Sequence, residues 1–180
     1  MTTRCAVLLR GVNVGKGNRI AMSDFTAVLA TTGATDVRTL LNSGNAVCTS
    51  RRSAASLESA VAKALVKELG LDVPVVTRTS EEIDAVIALN PLAEVADEPS
   101  RYLVVFLDRA PDAEAIESLL AVDAGDEVWQ VHGRELYLWL PAVDAGDEVW
   151  QVHGRELYLW LPAVDAGDEV WQVHGRELYL

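Results

Sequence analysis

Histidine is absent from residues 1–120 of this 180-residue chain, and its three histidines (His132, His153 and His174) all fall in the C-terminal third. A serine in the first two thirds has no local base, so a Ser-His-acid triad confined to that part is excluded. Cysteine occurs only at Cys5 and Cys48, too few for a disulfide framework. Apolar runs are short, Ala6–Leu9 and Leu103–Leu107 being typical, against the ~20 residues of a membrane-spanning helix. The run before Arg10 is also too short for the core of a signal peptide. Two thiols without a secretory signal lead us to expect a cytoplasmic protein that does not bind a membrane. No aromatic residue lies in the segment from Arg10 to Ile20, which argues against base stacking and so against sequence-specific nucleic-acid reading.

Half of the residues are hydrophobic, enough for a globular protein with a real core. The net charge of −12 is unevenly placed. Residues 1–55 carry seven Lys/Arg against Asp24 and Asp36, a net of +5, whereas residues 56–120 hold −8 and the last sixty −9. An acidic total therefore does not disfavour an anionic ligand at the basic front.

Cys5–Leu9 reads as a buried strand running into the glycine-containing loop VNVGKGNRIAM. Ser23 is expected to cap a helix bearing Phe25, Val28 and Leu29, which Gly33 stops. Strands are expected at Val37–Leu41 and Asn45–Thr49 around the turn-rich Asn42-Ser43-Gly44. A helix over Ala54–Leu69 presents Leu57, Val61, Ala64 and Leu65, ends at Gly70, and leads to a strand at Val73–Thr77. This βαββαβ order is that of a ferredoxin-like split βαβ unit. The order then restarts. A helix capped by Ser80 bridges to the strand Tyr102–Leu107, and Pro111 is placed in the first turn of a helix carrying Ile116, Leu119 and Leu120. A hairpin follows, with strands Glu127–Val131 and Leu136–Leu140 joined through Gly133-Arg134 in a type II′ turn. The predicted fold class is α+β, with two ferredoxin-like (α/β plait) subdomains built on antiparallel sheets. Residues 1–79 form the first, 80–100 a helical bridge, and 101–141 an incomplete second.

The segment AVDAGDEVWQVHGRELYLWLP, Ala121–Pro141, recurs letter for letter at Ala142–Pro162 and again from Ala163 to Leu180. Two and a fraction identical copies are a poor solenoid, which needs about three units with atypical ends. Extra copies of one hairpin would compete for one packing surface. We read residues 142–180 as a duplication or an assembly artefact. Each copy's histidine has no Cys or second His at ligand spacing, so no metal site or cofactor is predicted.

In a split βαβ sheet the end of the first strand and the turn between the second and third lie at one edge. That brings Arg10, Asn13, Lys16 and Arg19 near Asn42, Ser43 and Asn45, a candidate site for an anionic small molecule or nucleotide. The spacing of GVNVGKG is neither that of a P-loop nor that of a dinucleotide fingerprint. An alternative stands beside this, in which the glycines serve turn geometry and the Asn side chains cap local backbone. A homodimer or interaction scaffold without catalytic activity, built on sheet edges, is the other reading of function. Cys5 and Cys48 should be neighbours in register, inert in the core rather than a redox pair.

LLRGVNVGKGNRIAM and DVRTLLNSGNAVCTS resemble the opening of the bacterial family called domain of unknown function 1697. The matching positions are Leu9–Gly15, of the form L-R-G-[IV]-N-V-G, and Thr39–Val47, of the form T-x-x-x-S-G-N-hydrophobic. The resemblance covers roughly residues 3–140. It implies two small plait subdomains and no established substrate, leaving enzymatic activity open. The family's usual tail, ending in a T-R-N-W-x-T-like segment, is missing here.

Overall fold

The computed structural model describes residues 1–13, 18–98, 101–121, 126–141 and 157–159. The reading of residues 142–180 as a duplication lies outside the described residues, apart from the short strand noted below. Two compact units are present, the first spanning Met1–Ala88 and the second starting at Leu89.

In the first unit β1 (Thr3–Leu9), β2 (Thr35–Leu40), β3 (Asn45–Ser50) and β4 (Val75–Thr79) form one antiparallel sheet in the order β2-β3-β1-β4. This is the split βαβ topology, in which each helical crossover returns the chain to the same sheet. Helices α1 (Met22–Thr31) and α2 (Ala54–Leu69) cover one face. Alternation along the strands decides what faces them. Cys5, Val7 and Leu9 of β1, with Ala46 and Cys48 of β3, meet Phe25, Val28 and Leu29 of α1 and Leu57, Val61 and Leu65 of α2 in one core. The same alternation puts Leu8, Val76 and Arg78 on the opposite face, where all three are buried.

Helix α2 runs over the residues its pattern predicts. Ser53 accepts a hydrogen bond from the Ser56 amide at its start, and Gly70, at φ 65°, closes its end. Other expectations shift. The N-cap of α1 is Ala21, with no side-chain cap, so Ser23 lies within the helix. At α3 (Ser80–Leu89) the cap is Thr79 rather than Ser80. The Thr79 hydroxyl accepts from the Glu82 amide and the Glu82 carboxylate accepts from the Thr79 amide, a reciprocal capping box. Strand β4 starts two residues later than expected, because pairing with β1 covers Val75–Thr79 and leaves Val73 to the core ahead of it. Strand β2 begins earlier, at Thr35, through a bulge at Asp36, whose φ is 52°.

The second unit carries β5 (Tyr102–Phe106), α4 (Ala113–Leu120), β6 (Val128–His132) and β7 (Glu135–Trp139). Pro111 is not in the first turn of α4, because Asp112 is the N-cap and accepts from the Ala115 amide. The hairpin closes at the His132–Glu135 pair with Gly133 at φ 59°, as its two-residue loop predicts. Leu103, Val105, Leu136, Leu138 and Leu140 make the core on one face, while Tyr102 and Tyr137 lie on the other with ring centroids 6.4 Å apart. The sheet order is β6-β7-β5, and a short β8 (Leu157–Leu159) pairs antiparallel with the free side of β5.

Candidate functional site

Strand β1 leaves the sheet between two neighbours, and both hold its end. The Leu9 amide donates to the Gly44 carbonyl of the β2–β3 turn, and the Arg10 amide to the Pro74 carbonyl ahead of β4, each at 3.0 Å. The loop that follows is anchored at two apolar points, Val12 and Ile20, both in the core of the first unit. Asn13 joins these anchors. Its backbone amide donates to the Asn18 carbonyl at 2.9 Å. Its side-chain Nδ2 donates to the Ile20 carbonyl at 2.9 Å and to the Asn42 carbonyl at 2.6 Å, while its Oδ1 accepts from the Ile20 amide at 2.9 Å. Both amide protons and one oxygen lone pair of Asn13 are thereby used within the protein.

Of the grouping expected at this edge, the structure shows Asn13 meeting Asn42, a residue 29 positions away. Asn13 itself acts as a clasp, with its donors committed to the backbone. Asn18 and Asn13 both hold left-handed φ values, 46° and 59°, which Asn tolerates better than most residues. The expected capping of local backbone by Asn is thus realised at Asn13. Lys16 lies outside the described residues. Arg10 makes no side-chain hydrogen bond or ion pair among the described residues, whereas Arg19 is exposed and engaged.

On the turn, Asn45 Nδ2 donates to Ser43 Oγ at 2.8 Å, and Asn42 is exposed. Gly44 has φ 80°, and a Cβ there would stand 2.5 Å from Val12 Cγ2 and 2.8 Å from Leu9 Cβ. The turn backbone therefore lies directly against the root of the loop, at a contact that only glycine permits. Two features carry no signal in the sequence pattern. Leu41 takes φ 56° and is 51% exposed. The Glu58 carboxylate of α2 accepts from the Thr77 amide on β4 at 2.8 Å, blocking part of that strand's outer edge.

Cys5 and Cys48 face each other across β1 and β3, as their positions predict. Both are free and buried. Burial pushes the Cys48 thiol up to about 11, with Cys5 adding to the effect, and raises Cys5 as well, helped by Glu81 and Glu82. Such thiols stay protonated and are poor nucleophiles and poor metal ligands. Among the described residues no group of three or more His, Cys, Asp or Glu could hold a metal ion. No described helix is long and apolar enough to cross a membrane.

These features define an α+β protein of two plait-type units, with a clasped loop–turn edge on the first. The chain belongs to the family described as "Protein of unknown function (DUF1697)", which it matches over residues 1–137. Its fold is similar to that of the conserved bacterial protein SP0830 from Streptococcus pneumoniae, at 25% sequence identity, a TM-score of 0.67 and coverage of 77% of each chain. No curated protein matches the chain.

Proposed function

We propose that the chain is a binding module for an anionic small molecule or nucleotide, held where the β1–α1 loop meets the β2–β3 turn. Arg10, Lys16 and Arg19 supply positive charge, and Asn42, Ser43 and Asn45 supply polar contacts from the turn. Asn13 holds the two segments together. The observation that carries this reading is the 2.6 Å hydrogen bond from Asn13 Nδ2 to the Asn42 carbonyl. It makes one edge of two polar segments far apart in sequence, in the part of the chain whose charge is positive.

A dimer built by strand pairing is less well supported. At one edge of the first sheet Glu58 occupies the Thr77 amide, and at the other β2 is bulged at Asp36, both of which discourage strand addition. The test is a thermal-shift and calorimetric titration with phosphate, pyrophosphate and nucleoside phosphates at low and high salt. Binding should weaken at high salt and in the Arg10→Ala/Lys16→Ala double variant. Unchanged affinity for every anion in that variant would refute the proposal.

A further inference from the structure

Five non-glycine residues among those described have positive φ, namely Asn13, Asn18, Asp36, Leu41 and Asn90. Four are Asn or Asp, whose short polar side chains make that conformation tolerable. Leu41 is the exception, a bulky side chain held at φ 56°. It is also 51% exposed, so packing into the core does not account for it. Strain and exposure thus coincide at one residue. Asn42, next in the chain, accepts the Asn13 clasp, and Leu40 pairs with Asn45 across the hairpin. The turn is thereby fixed on both sides of Leu41. About half of the Leu41 side chain meets water, and backbone strain of this kind gathers where a ligand is met.

We infer that Leu41 is the apolar contact of the proposed site, and that its ligand is an anion with an apolar body, such as a nucleoside or aryl phosphate, rather than a bare inorganic anion. This rests on the anion-binding reading above. The charged end meets Arg10 and Arg19, and the ring lies on the Leu41 side chain. The cost of the left-handed leucine is met before the ligand arrives, so binding need not reorganise the turn.

The experiment compares inorganic phosphate, adenosine 5′-monophosphate and phenyl phosphate by calorimetry on the full chain, with Leu41→Gly and Leu41→Asn as variants. Both replacements suit a positive φ, so each should unfold at an equal or higher temperature than the parent. Both should lose about five- to tenfold in affinity for the two organic phosphates, the share expected from burying much of a leucine, while phosphate affinity stays unchanged. Phenyl phosphate and the nucleotide separate a general ring contact from nucleoside recognition. If the parent binds phosphate as tightly as the organic phosphates, or if the Leu41 variants keep the preference, the inference fails and the anion site stands. If Leu41→Gly lowers the unfolding temperature, leucine is there for stability and the inference fails. If no anion binds the parent protein, the underlying reading and the inference fail together.

Discussion

Replacing Gly44 by alanine should be among the most damaging single-methyl additions in the first unit. Two costs add. The backbone sits at φ 80°, and a non-glycine residue held in left-handed conformation costs about 1–2 kcal/mol. The new Cβ would also fall 2.5 Å from Val12 Cγ2 and 2.8 Å from Leu9 Cβ. Leu9 Cβ is tied to the main chain of a central strand and cannot swing aside, so overpacking adds about 1–3 kcal/mol. The sum, about 2–5 kcal/mol, is a large share of the 5–15 kcal/mol of a typical domain. Gly33 provides the control. It has φ 84°, and a Cβ added there would meet no neighbour within 4 Å, so Gly33→Ala carries the backbone cost alone. All five tryptophans lie beyond residue 128, so intrinsic tryptophan fluorescence reports the wrong unit. Urea unfolding followed by amide exchange at core positions such as Val7 and Leu57 is the suitable assay. Gly44→Ala should lose clearly more stability than Gly33→Ala, with a drop of roughly 10 °C or more in unfolding temperature at ~4–8 °C per kcal/mol. Equal losses in the two variants would refute the close approach of turn and loop.

Asn13→Gly keeps the left-handed backbone free of strain and removes only the clasp. At about 0.5–1.5 kcal/mol for each of three side-chain hydrogen bonds, it should cost roughly 1.5–4.5 kcal/mol, and the Ile20 amide should lose exchange protection. Retained protection at Ile20 would show that the loop closes without Asn13. For Cys48 the thiol is raised from 9.0 to about 11, chiefly by burial. The folded state thus holds a proton that the unfolded state releases. The stabilisation is full below pH 9.0 and is lost as pH rises toward about 11. The loss should reach at most about 2.7 kcal/mol at ~1.36 kcal/mol per unit. Denaturant midpoints between pH 8 and 11 should fall less steeply in Cys48→Ala, and a parallel fall in both proteins would contradict this account. Alkylation of the native thiols should be slow at neutral pH for the same reason.

Local structure was legible where short-range sterics decide it. Helix α2 begins after Ser53 and ends at Gly70, as the hydroxyl cap, the apolar spacing and the left-handed glycine require. The pairing of Cys5 with Cys48 followed from the strand order and direction. The caps of α1 and α3 were less legible, because α1 starts after Ala21 with no side-chain cap and at α3 two adjacent hydroxyls, Thr79 and Ser80, compete. At α3 the T-x-x-E signature of Thr79 and Glu82 was present in the sequence and outranks Ser80, since it satisfies two amides rather than one. The exposed left-handed Leu41 left no signal, because nothing in its residue type announces a positive φ.

The sequence alone determined the order of elements, the inward alternation of the strands and the meeting of two polar segments at one sheet edge. Each of these follows from a period of 2 or 3.6 residues and from the handedness of the crossover. The tertiary structure alone decided what those segments do on meeting. Asn13 could have faced a ligand, but the sheet delivers the Asn42 carbonyl to within 2.6 Å of its amide, and a donor in that position bonds to what is nearest. Glu58 reached the Thr77 amide for the same reason, through the packing of α2 against the sheet. Partners 19 and 29 residues apart are chosen by the fold's geometry, which no local pattern contains.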